Sequence, residues 1–149
     1  MTFSGLPSAG VRRRLGAMLY DFILVVAVLA VLTYFMLPFT GGEAVTVGPY
    51  SKWKHAFQLF EVVVIVIFFG VPWTRSGQTL GMLAWRLRVE REDGSRLTWF
   101  DVIKRLAAAT VSLTLAFAGY LWILVDKDKL AWHDRWTHTR VVVLPKNRS

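Results

Sequence analysis

The chain has no cysteine among its 149 residues, so no disulfide framework and no thiolate metal site can be built from it. Charge is scarce as well, at 19% of positions against roughly a quarter in an average globular chain. The three histidines, His55, His133 and His138, show no recognised ligand spacing, which leaves no metal set to propose. No nucleophile elbow supports Ser/His/Asp catalysis. Gly77-Gln78-Thr79-Leu80-Gly81 lacks the Lys-Ser/Thr and the βαβ setting of a phosphate loop. The expectation is a non-enzyme without a cofactor.

What the chain has instead is apolar surface: 54% hydrophobic positions and a mean hydropathy of +0.43. A chain this short has little core in which to hide it, so lipid is the expected solvent. Three apolar stretches carry the excess, residues 15–39, 55–73 and 102–125. The first is longer than the roughly 20 residues that cross a hydrocarbon core. It is too long for a signal-peptide h-region despite Arg12, Arg13 and Arg14, and no small-x-small site follows it. Leu37-Pro38-Phe39-Thr40-Gly41 spells a cell-wall sorting pattern, but not near the C-terminus where that mechanism needs it. The second stretch returns after a short loop with Gly41-Gly42 and Gly48-Pro49 as breakers.

Between the second and third stretches the pattern changes to period two. Trp85 to Arg91 alternates, Asp93-Gly94 is a tight-turn pair, and Arg96 to Trp99 alternates again. This predicts a small β-hairpin on the cytoplasmic surface, preferred over an amphipathic interfacial helix. The expected fold is an all-α membrane protein, a single domain over residues 1–149. It has about three membrane helices, the third straight or bent back, plus the hairpin.

The net charge of +8 fits this reading better than nucleic acid. Basic residues number 3 before the first stretch, 2 in the loop after it, 7 from Arg75 to Arg105 and 6 from Lys127 onward. The first three groups place the N-terminus and the hairpin in the cytoplasm of a multi-pass bacterial inner-membrane protein. The fourth conflicts with three simple crossings. Either the rule is overruled at the C-terminus or the third stretch turns back, with Thr110, Ser112, Thr114 and Gly119 suited to a buried bend. Trp53, Trp73, Trp122, Trp132 and Trp136 lie near predicted segment ends, as interfacial aromatics do.

Asp21 is the residue that most needs a reason. A central Asp costs about 2.5 to 3.5 kcal/mol on insertion, which the 14 Leu, Ile, Val and Phe residues of its segment offset. Such a group has a partner, and either holds helices together or serves as an ion or proton site. Arg14 lies seven residues earlier, roughly 10 Å along the axis, too far for an ideal pair. It is expected to snorkel to the interface, with partners drawn from Asp134 and Arg135, or Arg88. Glu61 is a second embedded carboxylate near the outer end of its segment. His133-Asp134 reads as an interfacial hydrogen-bonding cluster.

These residues together resemble the RDD family of bacterial membrane proteins, named for one arginine and two aspartates. Arg14 and Asp21 match its first helix, Gly77-x-Thr79-x-Gly81 with Leu87-Arg88-Val89 its central element, and Asp126, His133-Asp134 and Thr139-Arg140-Val141-Val142 its C-terminal pattern. Asp134 is taken as the second signature aspartate, with Asp126 as rival. Many members have basic residues after the second glycine, where this chain has Met82 and Leu83. The resemblance implies transport, with cation/proton exchange associated with some members. Two functions are carried forward. One is a small oligomeric cation/proton antiporter using Asp21, Arg14 and Asp134. The other is an accessory subunit that binds another membrane protein complex.

Overall fold

The computed structural model describes residues 5–41, 52–114 and 132–145. In chain order these form helix α1 (Val11–Met36) closed by a 3-10 turn (Leu37–Thr40), α2 (Lys54–Arg75), the short α3 (Leu80–Ala84), strand β1 (Leu87–Arg91), α4 (Trp99–Thr114), the short α5 (Trp132–Trp136) and strand β2 (Thr139–Val143). The chain is mostly helical, and α1 and α2 are long and apolar enough to cross a membrane. The first helix begins at Val11, so Arg12, Arg13 and Arg14 lie inside it, ahead of the apolar stretch.

The expected hairpin does not form. β1 pairs antiparallel with β2, with Val89 opposite Val141 and Leu87 opposite Val143. The Asp93-Gly94 turn is present, held by Ser95 N–H and Oγ donating to Asp93 Oδ1 at 2.8 and 2.5 Å. The chain after it has a stronger local use. The Thr98 hydroxyl and N–H donate to Asp101 Oδ2 at 2.7 and 2.9 Å while Asp101 N–H reaches Thr98 Oγ at 3.3 Å, a capping box that starts α4. Residues committed to a helix start cannot also ladder with β1, and the β-branched run of β2 takes the place. The other edge of β2 receives the N-terminal segment, with Ala9 N–H on Val141 O at 2.8 Å and Val143 N–H on Pro7 O at 2.9 Å.

This pairing gathers the start of α1, the end of α2, the start of α4, and α5 at one end of the molecule. The core sits there, around Ala9, Ala17, Trp73, Leu87, Val89, Leu97, Val102 and Val141. Two glycines seat the interhelical segment on the long helices. Trp85 lies where a side chain on Gly16 would be, and Trp99 where one on Gly70 would be. Away from this end the apolar side chains are outside: Phe22 is 64% exposed and Phe35 62%. Hydrocarbon tolerates such a surface and water does not.

Because Asp134 of α5 touches both α1 and α4, the chain leaves this end with α4 and is back at it in α5. A third stretch crossing once and leaving the C-terminal strand on the far side does not agree with these contacts. Residues 115–131, which hold Gly119, Trp122 and Asp126, lie outside the described part.

Candidate functional site

Two polar locks lie two turns apart along α1 at the charged end. The first is built on Arg14, one turn into α1. Its Nη1 donates to Asp134 Oδ2, and its Nε donates to the carbonyl of Ala9 at 3.0 Å. Arg14 is 4% exposed and does not snorkel, because Asp134 and the Ala9 carbonyl meet it under the sheet. From the other side Arg105 of α4 brings Nη1 to 2.7 Å from Asp134 Oδ1. That nitrogen spends an aligned hydrogen bond on Thr139 Oγ at 2.5 Å, so its attraction to Asp134 is chiefly ionic. Arg105 also lies over the Trp73 ring, 5.5 Å from its centroid. One fully buried carboxylate thus joins α1, α4, α5 and, through Thr139, β2.

The second lock is Asp21. Thr79 caps α3 by accepting from Met82 N–H at 3.2 Å, and its own hydroxyl donates to Asp21 Oδ2 at 2.5 Å. Asp21 Oδ1 accepts Gly81 N–H at 2.9 Å. A carboxylate of α1 therefore satisfies a free N–H in the first turn of α3 that the short helix cannot satisfy itself. Among the described residues no cation approaches Asp21. The glycines around Thr79 are positional. Gly77 has φ +75°, and a Cβ on it would strike the Val89 carbonyl, while one on Gly81 would strike the Ala17 carbonyl and the Asp21 carboxylate.

These two locks border a common cavity of about 280 Å³, walled by α1, α2, α4 and the sheet. Arg14, Arg105, Asp21, Trp73 and Thr110 supply its polar groups and Met18, Phe22, Val25, Phe69, Leu106 and Ala109 much of its apolar wall.

With this geometry in view, the comparison with known families is decisive: the RDD family model matches residues 8–138. The chain belongs to the RDD family. No curated protein and no solved structure matches it.

Of the site residues expected from the sequence, the structure brings Arg14 together with Asp134 and sends Asp21 to Thr79 and Gly81. Arg88 stays apart from both locks. It pairs at 2.9 Å with Glu90, which also receives Arg140 at 3.2 Å, on the face of the sheet opposite Leu87, Val89 and Val141. Glu61 is half-buried along α2 and makes no ion pair among the described residues. His133 lies in α5 beside Asp134, and its side chain is outside the described part, as is Asp126. Among the described residues no cluster of His, Asp or Glu could hold a metal ion.

Sequence reasoning passed over Arg105, counting it among the basic residues without assigning it a partner. The signal was the one that exposed Asp21, an ionisable group within an apolar helix.

Proposed function

We propose that this RDD protein is a multi-pass protein of the bacterial cytoplasmic membrane, N-terminus inside, working as an oligomeric cation/proton exchanger. Family membership and the two apolar helices point to the membrane. The basic groups in the first turn of α1 and around β1 lie at the same end of the molecule as Arg135 and Arg140, which supports one cytoplasmic end.

The observation that carries the exchange reading is Asp21. It borders a cavity and is held by a hydroxyl and an amide rather than by a cation. Such a carboxylate can trade a proton for a monovalent cation without first breaking an ion pair. Arg14 is already matched to Asp134, so those two close the cytoplasmic end of the cavity rather than tune Asp21. The cavity lies at one end of the molecule, and a complete path calls for further copies of the chain. The test is collapse of a pH gradient in inverted vesicles on adding Na⁺, K⁺ or Li⁺. Wild type should respond and Asp21→Asn should not. Equal responses would end the proposal.

The accessory-subunit reading has its own support. The most apolar 18-residue window of α1 is wholly unburied within the protomer, leaving a long face for a neighbouring membrane protein. Recovery of a stoichiometric partner in gentle detergent, with no ion movement by the protein alone, would favour it.

A further inference from the structure

The cavity between α1, α2 and α4 has donors in excess of acceptors at one end. Arg105 is nine-tenths buried and lines it. Its Nη1 serves Thr139 and Asp134, and its Nε and Nη2 have no protein acceptor among the described residues. Trp73 lines the same end, and its indole N–H is buried with no acceptor. An unmatched buried donor such as the Trp73 indole is costly, and Arg105 keeps two further nitrogens that a ligand acceptor could use. Of the other polar groups on the wall, Arg14 is paired with Asp134, Asp21 accepts from Thr79 and Gly81, and the Thr110 hydroxyl donates to the Leu106 carbonyl. The remaining wall is apolar and leads from the charged end toward the middle of α1 at Phe22 and Val25.

We propose that this cavity binds a single-chain fatty carboxylate taken up from the bilayer. The head would accept from Arg105 and the Trp73 indole, and the chain would run along Phe22, Phe69 and Leu106. Three features select this occupant. The donors match an anionic acceptor in charge and geometry. The polar end lies where the charged segments gather, so the ligand keeps the head-to-tail direction it has in the membrane. Leu87 and Val141 line the cavity at that end. They and a volume of about 280 Å³ leave room for a carboxylate and one chain rather than a glycerophosphate with two. The site does not require Asp21 to titrate, so it stands apart from the exchange reading.

The experiment is equilibrium binding of radiolabelled dodecanoate to the full chain in phosphatidylcholine nanodiscs, with methyl dodecanoate as competitor. Saturable binding of one molecule per chain is expected. The ester should compete at least about tenfold more weakly, the factor for losing a charge-assisted hydrogen bond. Ala109→Phe, which fills the wall without touching a charge, should abolish saturable binding, and Arg105→Gln should weaken it by a similar factor. If Arg105→Gln does not fold, the ester and Ala109→Phe arms still decide. Unsaturable partitioning, equal competition by the ester, unchanged binding in Ala109→Phe, or displacement of all label by phosphatidylglycerol at low mole fraction would each overturn the assignment.

Discussion

At the end of the molecule that carries the sheet, Arg14, Asp21, Arg105, Asp134, Thr79 and Thr139 are all buried, and each has a named partner. Along the middle of α1 the reverse holds: Ile23, Val26 and Val31 are exposed and no charged residue occurs. The two regions draw stability from different sources. Apolar helix faces that meet lipid gain little from meeting one another, so helices of the composition of α1 and α2 tolerate exchange of one apolar residue for another along their length. The charged end holds the elements in one arrangement, because a buried charge without its partner is far costlier than a missing methyl group.

The sharpest way to break this contrast is to remove Asp134. Asp134→Ala strands Arg14 and Arg105 under the sheet and should cost about 3–5 kcal/mol. Val31→Ala, on the exposed middle of α1, should change stability by no more than about 0.5 kcal/mol. Unfolding midpoints of both variants in one detergent would compare the regions directly. Similar losses would mean that the middle of α1 is packed against something in the functional assembly.

Backbone approach gives the next largest effect. Gly81→Ala forces a methyl into the Ala17 carbonyl and the Asp21 carboxylate, an overpacking worth about 1–3 kcal/mol. Gly10→Ala has open space and should be near neutral. Thermal unfolding of the pair separates a required close approach from mere backbone flexibility.

How much of this was legible beforehand differs by region in the same way. The apolar helices could be read from length and hydropathy, since each residue reports its own preference for lipid. That Asp21 needs a partner was equally plain, because the cost of a carboxylate within so apolar a stretch is independent of the fold. The partners were less readable. Thr79 and Gly81 come some 60 positions later, and their spacing marked a tight passage without saying which helix it passed. The β1–β2 pairing failed to show because period-two alternation identifies a strand but not its mate, and the nearest turn pair suggested the wrong one. The Thr98–Asp101 capping box was present in the sequence and would have removed that partner. The partners of Arg105 could not be read in the same way, because nothing local says what a helix brings it against.

The Asp21 lock can be sharpened by its donor. Thr79→Val keeps the shape and removes the hydroxyl that caps α3 and donates to Asp21, at a cost of about 1–2 kcal/mol. Thr79→Ser keeps the hydroxyl and should recover most of it. Hydrogen exchange at Gly81 and Met82 should rise in the valine variant and stay near wild type in the serine one. A rise confined to α3 would show that this lock seats one short segment, whereas Asp134 holds the whole end.

The smallest effect belongs to the rim of the charged end and depends on pH. Burial alone would push the Asp101 carboxyl up, but the Thr98 N–H and hydroxyl, with Arg91 and Lys104 nearby, outweigh it and hold the group below its ordinary value. A carboxylate whose folded value lies below its unfolded one stabilises the protein above the unfolded value, and that contribution is lost as pH falls through the folded one. Asp101→Asn should therefore lower stability at neutral pH by about 1 kcal/mol, the usual worth of a helix cap. The gap between variant and wild type should close in acid, as pH falls past the ordinary carboxylate value and through the lowered one of the folded Asp101. Denaturation midpoints across that range test it. A gap that persists in acid would assign the effect to packing of the side chain under the start of α4, rather than to its charge.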